Sequence, residues 1–171
     1  VYPIIMEEDK NNQGDPEKYY PLSPEVHLHL IIGRVKAGKS VLLNNLYMSN
    51  RFFADAFKVR ILISSTAVND QVNTHLLKDF DYVFSDYTPQ LLETIIEMVE
   101  QDEEKGRYLI ILDDIIGSVN FKRQGKVDEI SALASKYRHI GNEEQEGKLS
   151  ICMTTQYWKY FSGILRNNAT A

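Results

Sequence analysis

From about residue 25 onward, short apolar runs alternate with longer stretches whose apolar positions recur every three to four residues. The first period suits buried strands and the second suits amphipathic helices. Leu28-His29-Leu30-Ile31-Ile32, Val59-Arg60-Ile61-Leu62-Ile63, Tyr108-Leu109-Ile110-Ile111-Leu112 and Ser150 to Thr154 read as strands, with a brief one at Tyr82-Val83-Phe84. Helices are expected over Ser40 to Leu46, Asn69 to Lys78 and Val127 to Tyr137. The best-marked helix has Thr88 as N-cap, Pro89 at its first position and Gly106 beyond its end. Leu91, Leu92, Ile95, Ile96 and Val99 form its buried stripe, and its acidic tail, Glu100 to Glu104, reads as a solvated face. Strands this apolar need cover on both faces of their sheet. The pattern predicts an α/β, three-layer fold with a mainly parallel sheet covered by helices on both faces. Residues 1–24 are polar and turn-rich and read as an arm or linker, leaving residues 25–171 as one domain.

Between the first strand and the first helix lies Gly33-Arg34-Val35-Lys36-Ala37-Gly38-Lys39-Ser40, which fits G-x-x-x-x-G-K-[ST] at every fixed position. Such a loop turns backbone N–H groups inward around a polyphosphate, and the helix N-terminus behind it adds positive potential. Lys39 is expected to reach the β- and γ-phosphates, Ser40 to hold Mg²⁺, and Val41 to complete the first helical turn beside the nucleotide. An ordinary glycine-rich turn would not need Lys and Ser in succession. Arg34 and Lys36 either touch phosphate or stand solvated on the outer side of the loop.

Composition narrows the classes. A chain of 171 residues, 43% hydrophobic and 25% charged, suits one well-buried globular domain. A net charge of −5 argues against a broad nucleic-acid-binding coat but leaves room for a confined basic patch. The single cysteine, Cys152, sits in an apolar run, so it reads as a buried hydrophobe and no disulfide within the chain is possible. No run has the length of a membrane span and no secretory signal is visible. Because the chain opens on Val1, it is expected to be a fragment of a longer protein.

The strand Tyr108 to Leu112 runs into Asp113-Asp114. An acid after four or five apolar residues is the second half of a P-loop site. Asp113 is expected to grip Mg²⁺, and Asp114 either to activate water against the γ-phosphate or to cap the following turn. Thr154-Thr155-Gln156 closes another apolar strand. Gln156 is expected at the same sheet edge, where a neutral amide can sense the γ-phosphate or satisfy loop backbone. If its strand lies between the other two, Gln156 is about 4.8 Å from each.

In order along the chain, Gly33–Ser40, Leu109–Asp114, Tyr137-Arg138-His139, Thr155-Gln156-Tyr157 and Ile164-Leu165-Arg166-Asn167-Asn168 together resemble one family. It is the genome-packaging ATPases of nucleocytoplasmic large DNA viruses, the poxvirus-type packaging ATPases, with their virophage relatives, in the FtsK–HerA superfamily. The resemblance covers residues 25–171. The phosphate loop and acid pair are widely shared, and the Arg-His and Gln-Tyr…Ile-x-Arg-x-Asn elements are more specific. It implies an ASCE/RecA-like P-loop NTPase fold with the Gln-bearing strand between the other two. It further implies ATP and Mg²⁺ as cofactors, homo-oligomeric rings with sites between subunits, and movement of double-stranded DNA into a preformed viral capsid at its portal vertex. Location in the virion or in the host-cell cytoplasm, at the viral factory, follows. An arginine from a neighbouring subunit completes such a site, with Arg138 the first candidate and Arg166 the second; either is otherwise a packing or surface residue. Two departures stand out. The sequence stops at Ala171, so the last strand and C-terminal elements that the resemblance implies are expected to be missing or brief, and Arg34 and Lys36 are bulkier than the loop residues usual there. Nothing resembles a DNA-cleaving nuclease domain.

The densest basic loop holds Lys122, Arg123 and Lys126, which either track a DNA backbone through a ring's pore or form a solvated surface loop. His27 and His29 share one side of the first strand without a third ligand in view, so a metal site is not expected there. His75 reads as a surface residue. Tyr157, Trp158, Tyr160 and Phe161 read as core or subunit contact rather than a base-stacking platform. Two other functions stay open. One is a nucleotide-dependent assembly or scaffold module with little hydrolysis. The other is a small-molecule kinase, which would want an acceptor pocket and an arginine-rich lid.

Overall fold

The computed structural model describes residues 26–49, 52–66, 79–104, 106–115, 128–141 and 148–170. Among these residues five strands form: β1 (Leu28–Ile32), β2 (Val59–Ser64), β3 (Tyr82–Phe84), β4 (Tyr108–Asp113) and β5 (Leu149–Thr155). They pair in the order β1-β5-β4-β2-β3, and every pairing is parallel. The helices are α1 (Lys39–Tyr47), α2 (Pro89–Gln101), α3 (Glu129–Lys136) and α4 (Gly163–Asn168). The expected helix over residues 69–78, the N-terminal arm, His75 and the basic loop of Lys122, Arg123 and Lys126 lie outside the described residues.

Alternation along the strands sends side chains to opposite faces, and each face has its own core. On one, Ile61, Ile63, Ile110, Leu112, Ile151 and Met153 pack against Leu92, Ile95 and Val99 of α2, Leu133 of α3 and Leu165 of α4. On the other, Leu62, Leu109, Ile111 and Cys152 meet Leu43 and Tyr47 of α1 with Phe53 and Phe57. The sheet is therefore the middle of three layers, as the apolar strands require.

Local signals explain the element ends. Thr88 Oγ1 accepts from Leu91 N at 3.1 Å, capping α2 behind Pro89. The helix expected over 127–137 resolves into two pieces. Asp128 caps α3, its side chain accepting from Ser131 N at 2.8 Å. After Lys136 the chain tightens into a single 3₁₀ turn at Tyr137–His139, which drops Tyr137 into the core. The acidic tail of α2 departs from the solvated face expected of it. Asp102 is tied down by Lys58 Nζ at 2.6 Å and by the Tyr108 hydroxyl, whereas Glu103 and Glu104 are exposed. These bonds, Lys58's foremost, hold the Asp102 carboxyl well below the usual carboxylate range. Burial, joined by the bond to Asp102, pushes the Tyr108 hydroxyl up to about 12.

Candidate nucleotide site

The parallel sheet delivers three strand ends to its carboxyl edge, the edge where open α/β sheets bind ligands. β5 lies between β1 and β4, so the Gln-bearing strand separates the phosphate loop from the acid pair. The loop leaves β1 with Gly33 N donating to Thr155 O at 3.0 Å. Gly33 is closely approached: a Cβ there would lie 3.2 Å from both Ala37 Cβ and Lys39 Cγ, tighter than ordinary contact, so these side chains would have to give way slightly. Gly38, at φ 84°, takes the left-handed conformation that glycine adopts without cost and then hands the chain to α1. No side chain caps α1 and no acid stands in its first turn, so its opening N–H groups face the loop unneutralised. Lys39 folds back along the loop, donating through Nζ to Gly33 O at 3.0 Å and Arg34 O at 3.4 Å. Arg34, Val35, Lys36 and Val41 are exposed, and Ser40 is half-buried at the start of α1.

The acid pair sits at the same edge. Asp113 ends β4 opposite Ser64 of β2 and Thr154 of β5. Both neighbours serve it: Thr154 Oγ1 donates to Oδ1 at 2.5 Å and Ser64 Oγ to Oδ2 at 3.1 Å. Asp114 follows at φ 50°, a left-handed conformation that Asp tolerates better than most residues. Its N–H donates to Thr154 Oγ1 at 3.2 Å, and its Oδ2 accepts from Gln156 Nε2 at 3.1 Å. One hydroxyl thus fixes both acids, and the amide at the end of β5 holds the second. Ser64 and the double role of Thr154 escaped the sequence reading. Each is a hydroxyl at the end of an apolar strand, a visible signal whose meaning depends on the register.

Behind the loop, β1 and α1 are joined by a buried polar cluster. Tyr47 Oη lies 2.7 Å from His29 Nδ1 and 3.2 Å from His27 Nε2, and the two imidazoles stack at 3.9 Å. Burial, reinforced by His27, lowers the His29 pKa to about 3, so this ring is neutral. Cys152 lies on the same face, and burial pushes its thiol up to about 12. Among the described residues no cluster of three or more His, Cys, Asp or Glu forms a metal cage.

The arginines are placed differently. Arg138 sits in the 3₁₀ turn before Ile140, whose carbonyl accepts from Lys148 N at 2.8 Å, at the entrance of β5. Thr155 is at the exit, about 23 Å away at the rise of a strand. Arg138 cannot reach the site of its own chain, and its Nε donates to Tyr137 Oη at 3.0 Å. Arg166, in α4, holds its guanidinium 5.4 Å from the centre of the Trp158 ring. Of the aromatics after Gln156, expected in the core or at a subunit contact, Phe161 is buried at 1%, whereas Tyr157, Trp158 and Tyr160 are 53%, 50% and 39% exposed and so lie outside this chain's core.

No family model and no curated protein matches the chain. Solved structures do. The B204 genome-packaging NTPase of Sulfolobus turreted icosahedral virus 2, in complex with AMP, is 18% identical with a TM-score of 0.58, covering 86% of this chain and 73% of that one. Its complex with ATP-gammaS aligns at 20% identity and a TM-score of 0.55, over 86% of this chain and 72% of that one. The pCW3 conjugation coupling protein TcpA with ATPgS aligns at 14% identity and 0.57 over 85% of this chain. The chain spans about half of TcpA's length, 48%. By strand order, loop geometry and these likenesses, the chain has the α/β fold of the P-loop NTPases.

Proposed function

We propose that the chain is the ATPase domain of a motor that moves double-stranded DNA into a viral capsid, acting in a homo-oligomeric ring at the portal vertex, in the virion or the cytoplasmic viral factory. The observation that carries the ATPase reading is the contact of Gln156 Nε2 with Asp114 Oδ2 at 3.1 Å, beside the Thr154-held Asp113. A kinase needs no sensor amide paired with a second acid, and this pairing supports hydrolysis. The likeness to a packaging NTPase and a conjugation coupling protein supports DNA as the load.

The roles follow from placement. The N–H groups from Gly33 to Val41 and the ammonium of Lys39 bind the phosphates, Lys39 exchanging loop carbonyls for phosphate oxygens. Asp114 takes a proton from the attacking water, and Gln156 orients that water or the γ-phosphate. The Ser40 hydroxyl and Asp113 carboxylate are hard oxygen donors, which fits Mg²⁺, an ion that keeps waters and phosphate oxygens in its shell. Bound there, Mg²⁺ neutralises charge on the β- and γ-phosphates. Arg138, remote from its own site, serves the neighbouring subunit's; Arg166 is the alternative. A trans arginine contributes about 10³–10⁵ in rate. Lys122, Arg123 and Lys126 contact the DNA backbone.

The test is steady-state phosphate release with and without duplex DNA, with solution mass measured on the same sample. Turnover stimulated by DNA in an oligomer, abolished by Lys39→Ala, is expected. Equal turnover in Lys39→Ala overturns the site. Tight ATP binding with negligible turnover at any DNA concentration would favour the scaffold reading instead.

A further inference from the structure

Resting on the nucleotide-site reading, we infer that Gln156 is a latch on Asp114, closed until a triphosphate draws the amide away. Three features carry this. Asp114 presents its carboxylate to Gln156 Nε2 at 3.1 Å, a charge-assisted bond to the very group assigned to accept water's proton. The backbone beneath is pinned, because Asp114 N–H donates to Thr154 Oγ1 at 3.2 Å while that hydroxyl donates to Asp113 at 2.5 Å. With φ at 50° and its N–H bonded to Thr154 beside the held Asp113, Asp114 is anchored on its N-terminal side, and the amide of Gln156 is the group that meets its carboxylate. Gln156 is itself one residue beyond β5, whose last residue bonds the loop through Gly33 N at 3.0 Å.

A γ-phosphate carries more charge than a carboxylate and competes for the same amide N–H. When it wins, Oδ2 of Asp114 is released to accept a proton from water. A diphosphate has no such group at that place and leaves the latch shut. The base is thereby unmasked only when a hydrolysable ligand is present, and Gln156 is a positioning residue for Asp114 before it senses anything.

Opening the latch costs a hydrogen bond, so abolishing it must favour triphosphate over diphosphate. Calorimetric titration with Mg²⁺ and either ADP or the β,γ-methylene analogue of ATP gives a ratio of dissociation constants for each variant. Asp114→Asn removes the charge and keeps an acceptor for the amide; Asp114→Ala removes both. Asp114→Gly does the same and adopts a positive φ without strain, should the alanine variant fold poorly. Relative to Asp114→Asn, the Ala and Gly variants are expected to favour the triphosphate by a further three- to tenfold, roughly the worth of one hydrogen bond. In a Gln156→Ala background that difference vanishes. Equal ratios for Asn, Ala and Gly variants overturn the latch, as does a difference that survives without Gln156. An amide bridging both groups would leave the ratio unchanged or lower it, with the same consequence. If the unmodified chain binds neither nucleotide, the site itself is wrong and the latch falls with it.

Discussion

Thr154 is the residue on which the candidate site turns. It is fully buried, its single proton goes to Asp113 Oδ1, and its lone pair receives Asp114 N–H. Valine has the same shape and neither function, so Thr154→Val leaves a carboxylate oxygen and a backbone N–H without partners. The loss is expected to be about 1–3 kcal/mol of stability, read from urea unfolding, with phosphate release falling far more than the folded fraction does. Thr154→Ser keeps the hydroxyl and is expected to restore most of the turnover. Equal turnover in the Val variant would show that the acids hold their geometry unaided. Ser64 gives the same acid a second, longer bond at 3.1 Å, and its removal is the milder change.

Between elements, the tie from β1 to α1 matters most because the phosphate loop is the chain between them. Tyr47 near the end of α1 contacts both histidines of β1, in a layer completed by Phe53 and Phe57. His29 is held neutral, its pKa lowered to about 3 by burial and by His27. Below the unfolded value of about 6.5, the unfolded chain takes up a proton at this position that the folded chain refuses. Stability is therefore complete above about pH 6.5 and falls as pH drops toward 3, at up to about 1.4 kcal/mol per pH unit. Urea unfolding at pH 5.5 and 7.5 checks this, and His29→Phe is expected to flatten the difference. A slope unchanged in that variant would assign it to other groups. The opposite end of the sheet is closed separately, where Lys58 and Tyr108 hold Asp102 at the end of α2. That bond explains why an acidic tail that looked solvated carries a half-buried member.

At the scale of the whole molecule, Arg138 and the phosphate loop stand at opposite ends of β5, so a role for this arginine in hydrolysis requires a second chain. Mixing supplies the test. Lys39→Ala and Arg138→Ala chains are each expected to be inactive. A mixed assembly places an intact Arg138 beside an intact Lys39 at about a quarter of interfaces if subunits combine at random. Recovery of phosphate release on mixing supports the trans assignment; no recovery in a confirmed mixed oligomer transfers the role to Arg166. The exposed turn of Tyr157, Trp158 and Tyr160, with Lys159 Nζ 5.5 Å from the centres of both tyrosine rings, lies one residue past Gln156 on the same segment.

Periodicity and turn chemistry alone determined most of the element order, since five apolar runs, Thr88-Pro89 and the glycines of the loop act locally. They also named Lys39, Ser40, Asp113, Asp114 and Gln156, because those residue types at strand ends and helix starts have few other uses. Which strands are neighbours was decided by tertiary structure. Parallel strands are joined by crossovers, so distance along the chain does not encode adjacency, and Ser64, Asp113 and Thr154 meet although 49 and 41 residues separate the pairs. Burial was likewise settled only by packing: Phe161 and Trp158 look alike in a sequence, and one joins the core cluster that includes Leu165 while the other is half exposed.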